Sequence, residues 1–381
     1  MPRIVLECSQ NPQHRLAADR LYGTCPSDDA PLLVRYENPR LDRDKLLGWT
    51  MWRYRGVLPV DDGEEPVTLG EGATPLLRLD GLEDSLPLDA PLYVKDESQN
   101  PTGSFKARGM SVAVTMAARL GATALVAPSA GNAGSALAAY GAKAGLPVRV
   151  YVPADTPRIL IEQTERFGAE VTTVDGLITD AGRFASEFAA KTGAFNLATL
   201  REPYRVEGKK TMAYELVEQL GKVPSALVYP TGGGTGVVGM WKAFEEMERL
   251  GWIGAERPKI FSVQSQECPT IVNAFQSGAE RATPPASCTT KVWGLRVPAL
   301  IGDRLVLRAL RESRGGAVAV SEKQMRADMQ LMNAREGIDA TEEGGATLSG
   351  LRALLERGVR FDGPVVLFNT GSALKYGVRA A

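Results

Sequence analysis

The residues best placed to do chemistry lie in Asn100 to Met110, NPTGSFKARGM. Pro101 presets one backbone dihedral and Gly103 tolerates positive φ, so the stretch opens with a tight turn. Ser104 stands where a helix N-cap is expected, ahead of a run (FKARGMSVAVTMAARLGA) with apolar residues at helical spacing. Upstream, APLYVKDE reads as a strand end. Lys106 is therefore expected in the first turn of a helix that a tight loop joins to a strand. A lysine fixed there, close to backbone N–H groups, can act as a nucleophile on a carbonyl when burial and neighbours lower its pKa. Taken alone, the stretch is better read as a solvated lysine on a helix face.

Three further stretches shift that balance. SAGNAGSA (129–136) carries Gly131 and Gly134, which permit close backbone approach to a ligand, and Asn132, a neutral donor and acceptor in the same loop. PTGGGTG (230–236) places Gly232, Gly233, Gly234, Thr235 and Gly236 between a buried strand and a helix. Successive glycines there expose N–H groups at a positive helix end, a site for a phosphate. The loop lacks the lysine and Ser/Thr of a P-loop and the spacing of a dinucleotide fingerprint, so one phosphate monoester is enough to account for it. NTGSALKY (369–376) sets the Thr370 hydroxyl at the end of the last strand. A lysine able to form an imine, an asparagine, a cup for one phosphate and a terminal hydroxyl together fit pyridoxal 5′-phosphate.

The elements that must hold these residues are legible as a rhythm. Strands are expected at 123–129, 147–153, 169–174, 194–198, 225–230, 259–265 and near 363–369, with helices at about 129–145, 157–167, 178–191, 205–221 and 235–251. Such alternation implies an α/β protein of parallel sheets with helices on both faces, in which ligands bind at the carboxyl ends of strands.

Composition narrows the classes of function. The chain has 381 residues, room for two domains, with 44% hydrophobic and 23% charged residues. Its formal net charge is -1 and no basic block stands out, which disfavours nucleic acid and anionic membrane as partners. No apolar run reaches membrane-spanning length, and MPRIVLECSQ has no apolar core of a signal peptide, which points to a cytoplasmic enzyme. Cys8, Cys25, Cys268 and Cys288 are far apart in sequence, a pattern suited to free thiols in a reducing compartment. The one histidine, His14, excludes a Ser-His-Asp triad in the main body and any multi-histidine metal site. Proton movement falls to a lysine, a carboxylate or a cofactor.

Residues 1–56 read as a separate lead-in. Cys8 and Cys25 each begin a short polar turn, like two knuckles of a zinc ribbon with half the ligands missing. Asn11 and Asp28 occupy the second places of the two C-x₂-C pairs, which argues for a small β-rich flap without metal. Residues 43–56 (RDKLLGWTMWRYRG) are expected to form an amphipathic helix packed on the body.

In order along residues 65–380, these motifs resemble the tryptophan-synthase-β-like (fold-type II) pyridoxal-phosphate enzymes, and within them the threonine synthases. The resemblance implies two doubly wound, open parallel-sheet domains with the cofactor in the cleft. A large cofactor-binding domain would comprise 57–100 and 205–381, and a small substrate-side domain 101–204. NPTGSFKARG is similar to the family's Schiff-base motif, which makes Lys106 the cofactor-bearing lysine. By the same likeness Asn132 faces the ring hydroxyl, Gly232 to Gly236 the phosphate, and Thr370 the pyridine nitrogen. LGEGATPL (69–76) is similar to the N-terminal signature and GIDATEEGGATLSGL (337–351) to the substrate-side helix. Substrate contacts are implied for Ser129, Ser104 and Arg205, with Lys209 and Lys210 weighed as helpers at the leaving phosphate but read as solvated helix lysines, and Arg108 as a brace of the lysine loop. The implied reaction takes O-phospho-L-homoserine and water to threonine and phosphate, in a fold expected to pair two copies of the chain as a homodimer. Ala107, Ala130, Ala133, Thr199, Leu200 and Glu342 depart from the family pattern. Replacement on O-phosphoserine, a serine/threonine dehydratase, and a silent cofactor-binding homologue therefore stay open at this point.

Overall fold

The computed structural model describes residues 4–61 and 63–376; the first three residues of the expected lead-in and the last five of the chain lie outside them. The chain divides into two compact units, Met1–Ala73 with Asn100–Thr211, and Thr74–Gln99 with Met212–Ala381.

The first unit begins with a three-stranded antiparallel sheet of β1 (Ile4–Cys8), β2 (Arg15–Ala17) and β3 (Leu32–Tyr36), in the order β2-β1-β3. The β-rich flap expected for the lead-in is present. It is no isolated module, because Leu6, Val34, Met51 and Trp52 share one hydrophobic core with Ala107, Met110 and Val114 of the following helix. The helix expected over 43–56 does not form. Two 3-10 turns, Arg43–Lys45 and Met51–Val57, stand in its place. Gly48 at φ 87° breaks the run, and the Thr50 hydroxyl accepts from Trp52 N at 3.2 Å to start the second turn. Trp49 is 84% exposed whereas Trp52 is buried, so the two tryptophans do not share a face.

The second sheet of this unit is parallel throughout, in the order β8 (Glu170–Val174), β7 (Val148–Pro153), β6 (Leu125–Pro128), β9 (Phe195–Asn196). Its strands are short apolar runs because both faces are covered. On one side lie α2 (Lys106–Arg119), α3 (Asn132–Ala144) and α4 (Arg158–Arg166), around Val112, Leu137, Val150 and Ile161. On the other, α5 (Ile178–Thr192) packs Ala181 and Ala185 against Val126 and Tyr151.

The second unit holds a six-stranded sheet. Its order is β12 (Gly316–Val320), β11 (Lys259–Ser265), β10 (Ala226–Pro230), β13 (Val365–Asn369), β5 (Leu92–Asp96) and β4 (Leu76–Arg78). Only β4 runs antiparallel to its neighbour. One face is covered by α10 (Glu322–Glu336) and α11 (Glu342–Glu356), whose Met325, Met332, Leu348 and Leu351 pack on Val228, Val263 and Leu367. Helix α7 (Thr235–Arg249) leaves the carboxyl end of β10. The free-thiol expectation is corrected for one pair. Cys268 and Cys288 are bonded, with Cα atoms 4.7 Å apart, because the loop after β11 returns across their sequence separation of 20. Cys8 and Cys25 are free and buried. Among the described residues no helix is long and apolar enough to cross a membrane.

Candidate active site

In the first unit, the lysine loop is built from two left-handed residues in succession, Thr102 (φ 62°) and Gly103 (φ 68°), which reverse the chain after Pro101. Ser104 is not the N-cap. It is extended (φ -163°, ψ 158°), and Phe105 precedes the first helical residue, Lys106. Ser104 Oγ is fully buried and makes no hydrogen bond among the described residues. That leaves a polar atom aimed at something other than the helix end. Lys106 thus opens α2, with its Nζ 4.2 Å from the Phe105 ring centroid.

Helix α6 (Arg205–Leu220) supplies a second lysine to the same ring. Lys209 is fully buried, its Nζ 3.6 Å from the Phe105 centroid and donating to Phe105 O. Lys210 is equally buried and pairs with Glu207 Oε2 at 2.6 Å, while the Tyr36 hydroxyl donates to that same oxygen at 2.6 Å. The expectation that both lysines are solvated is therefore overturned. No local signal marked this: the helix RVEGKKTMAYELVEQL mixes charged and apolar residues, yet it is buried from Arg205 to Val217 and leaves the two lysines no solvent face.

Two glycines set the distance between α2 and α6. A Cβ on Gly208 would stand 1.9 Å from Arg108 O, and one on Gly109 3.0 Å from Arg205 O. Fully buried Arg108 donates from its guanidinium to Thr211 Oγ1 at 3.0 Å and so ties the helices. Arg205 is buried at the start of α6, its guanidinium donating to Leu197 O at 2.8 Å and Thr199 Oγ1 at 3.3 Å. Burial lowers its pKa, opposed by the charge of Glu202. Glu202 accepts from Tyr204 N at 2.7 Å and Arg205 N at 3.1 Å, and desolvation pushes its carboxyl up to about 7.

The asparagine loop follows β6, the neighbour of β9, after which Arg205 comes. Ser129 Oγ accepts from Gly131 N at 3.0 Å and Gly134 N at 2.7 Å, so this hydroxyl shapes its own loop. Asn132 is the first residue of α3. A Cβ on Gly131 would meet Leu160 at 2.4 Å, which explains the glycine there along with its φ of 132°. Below, Glu71 of the TLGEGATPL turn is fully buried and binds Trp52 Nε1 at 2.8 Å and the Tyr140 hydroxyl at 2.5 Å. Burial and that carboxylate hold the Tyr140 phenol far above its ordinary pKa. No local pattern marks Glu71 as a hub, since its partners lie 19 and 69 residues away.

In the second unit, the glycine loop and Thr370 leave the carboxyl ends of adjacent strands, β10 and β13. A Cβ on Gly232 would lie 2.1 Å from Gly294 O, one on Gly234 2.4 Å from Val306, and one on Gly236 2.1 Å from the Tyr229 hydroxyl. The loop is thus packed too tightly for a side chain at these three positions, and the N–H groups of the first turn of α7 lie at its end. Asn369, just before Thr370, was missed in sequence. Its amide donates to Asp96 Oδ1 at 2.9 Å and accepts from Thr341 N at 3.2 Å, fastening β13 to the end of β5 and the start of α11. Lys375 in the same motif is buried, and desolvation lowers its amine to about 7.

Residues 67–371 match the family described as pyridoxal-phosphate dependent enzyme. A threonine synthase of Methanosarcina acetivorans is 36% identical, covering 94% of this chain and 89% of its own. The chain belongs to the threonine synthases of the pyridoxal-phosphate-dependent enzyme family. A threonine synthase of Methanocaldococcus jannaschii is 35% identical over 85% of this chain and 80% of its own. In fold, maize serine racemase superposes with a TM-score of 0.68 at 19% identity, covering 78% of this chain and 88% of that one. The chain is thus a fold-type II, pyridoxal-phosphate-dependent enzyme. Its residues fit that cofactor. In the second unit the glycine loop at the start of α7 has the chemistry to hold a phosphate, and in the first unit Lys106 has the primary amine that would carry the cofactor.

Proposed function

We propose that the protein converts O-phospho-L-homoserine and water into L-threonine and phosphate. The observation that carries this reading is the threonine synthase likeness running through most of both chains, with Lys106 at the start of α2 inside it. Bound pyridoxal phosphate supplies the electron sink that lets a proton leave Cα. Lys106 holds the cofactor and moves protons at Cα and then Cβ. Gly232 to Gly236 and Thr235, at the start of α7, hold the cofactor phosphate. Asn132 orients the ring hydroxyl. Thr370, a neutral hydroxyl, leaves the pyridine nitrogen largely unprotonated, which moderates electron withdrawal and suits elimination followed by addition. Ser129 and Ser104 bind the substrate carboxylate end, and buried Arg205 neutralises the leaving phosphate. As its guanidinium already donates to Leu197 O and Thr199 Oγ1, it is held in place before substrate arrives. The protein works in the cytoplasm as a homodimer on this small phosphorylated amino acid.

The test follows phosphate and threonine together on purified, cofactor-loaded protein. Equal amounts of the two products are expected, with Lys106→Ala losing both turnover and the visible absorbance of the bound cofactor. Phosphate release from O-phosphoserine with a thiol or sulfite, and none from O-phospho-L-homoserine, would move the reading to a replacement enzyme. A loaded protein that turns over neither substrate would sink it.

A further inference from the structure

We infer that the lead-in holds a structural metal ion, of the zinc class, on Cys8, His14, Cys25 and Asp28. One ligand atom from each of these four residues lies within 4.8 Å of every other. Fixed C-x₂-C spacing excludes metal here, since Asn11 and Asp28 fill the second places. The fold supplies what that rule overlooks. The turn after β1 brings His14 back beside Cys8, with Cys8 N donating to His14 O at 3.0 Å. A second tight turn, with Cys25 N on Ala30 O at 2.8 Å and Asp29 N on Cys25 O at 2.9 Å, presents Cys25 and Asp28 together. His14 takes the place that Asn11 leaves, and Asp28 serves in its own.

The distances suit a tetrahedron. Cys8 Sγ lies 3.2 and 3.4 Å from the two Asp28 oxygens, and Cys25 Sγ lies 3.9 Å from His14 Nδ1. Ordinary zinc bonds to sulfur, nitrogen and oxygen give edges of about 3.5–3.8 Å. Asn11 Nδ2 stands 3.1 Å from His14 Nε2, which fixes the ring and leaves Nδ1 facing the cysteine. Gln10 N and Asn11 N both donate to Cys8 Sγ at 3.4 Å, the arrangement that steadies a thiolate in a metal-binding knuckle. Both sulfurs are buried, whereas Asp28 is exposed and His14 half-buried, which gives an ion a way in. Two thiolates with one imidazole and one carboxylate favour zinc over calcium or magnesium. Four protein ligands leave no open position, so the ion is structural. It staples two turns of a flap whose Tyr36 binds Glu207 on the helix that begins at Arg205.

The test uses the full-length, cofactor-loaded protein purified with a reductant. Metal analysis is expected to find one zinc per chain. After chelation, cobalt(II) should bind at one equivalent and give ligand-field bands at longer wavelength than the cofactor, with thiolate-to-metal charge transfer in the ultraviolet. Chelation should lower Tm, and zinc should restore it. Cys25→Ser should abolish the cobalt bands. His14→Gln and Asp28→Asn, at positions nearer the surface and thus safe for folding, should weaken cobalt binding about tenfold or more. A wild-type chain that takes up neither zinc nor cobalt, or a cobalt spectrum unchanged in both His14→Gln and Asp28→Asn, overturns the assignment.

Discussion

Gly208→Ala adds one methyl group where α6 meets α2, and its effect can be worked from the backbone alone. The new Cβ would stand 1.9 Å from Arg108 O, 2.4 Å from Arg108 C and 2.9 Å from Gly109 Cα. All three obstacles are main chain, so no side chain can rotate away. A carbon–oxygen contact of about 3.3 Å requires the two segments to part by roughly 1.4 Å. Gly208 has no positive φ, so alanine is otherwise at home in this helix and the effect is purely steric. Arg108, buried and bonded to Thr211 Oγ1, resists the parting. Overpacking of this kind costs about 1–3 kcal/mol, and the rigid neighbours place it at the upper end. In a unit of this size that lowers Tm by roughly 5–10 °C. The shift falls between Arg108, two residues after Lys106, and the helix that begins at Arg205, and a 1 Å misplacement of reacting groups costs about 100-fold in turnover. Thermal melts and phosphate-release kinetics on the loaded enzyme measure both. Gly182→Ala in α5 is the control, since nothing lies within 4 Å of its new Cβ. It should gain about 0.5–1 kcal/mol from helix propensity with turnover unchanged. A Gly208→Ala enzyme that melts and turns over like wild type would refute the reasoning.

Two further outcomes are expected. Glu202 has its carboxyl raised by burial to about 7, above its ordinary 4.5, so the folded state takes up a proton that the unfolded chain has lost. Its contribution to stability is complete below about pH 4.5 and is lost as pH rises through about 7; Tm measured from pH 5 to 8 should fall less in Glu202→Gln, and parallel profiles would refute this. Thiol titration of the denatured, chelator-treated chain should count two thiols before reduction and four after, because Cys268 and Cys288 are bonded and Cys8 and Cys25 are free. Closing a loop over a sequence separation of 20 should stabilise by about 3 kcal/mol, so Cys288→Ser should lower Tm, and four thiols without reduction would refute the bond.

The alternating strands and helices were legible because buried parallel strands are short apolar runs, several of them ending in Pro. VRVYVP and ALVYP form β7 and β10 where that rule places them. The readings that failed are those in which local pattern competes with a partner far along the chain. RDKLLGWTMWRYRG has helical spacing, yet Gly48 at positive φ divides it and Trp52 is drawn inward by Glu71 and Ser111. Ser104 has the side chain of a cap, but the left-handed pair Thr102 and Gly103 has already turned the chain, so the residue stays extended. Lys209 and Lys210 are charged and therefore read as solvated. What keeps them inside is Phe105, 104 residues earlier, and a carboxylate shared with Tyr36, 171 residues from it. At Cys8 and Cys25 spacing along the chain is likewise only a substitute for nearness, since a hairpin and a tight turn bring His14 and Asp28 beside them at other spacings. A charged or metal-binding side chain in a helix or turn is thus best judged by whether its element has a solvent face at all. By that criterion the lysines of α6, a helix buried from Arg205 to Val217 despite its six charged residues, require partners inside the protein.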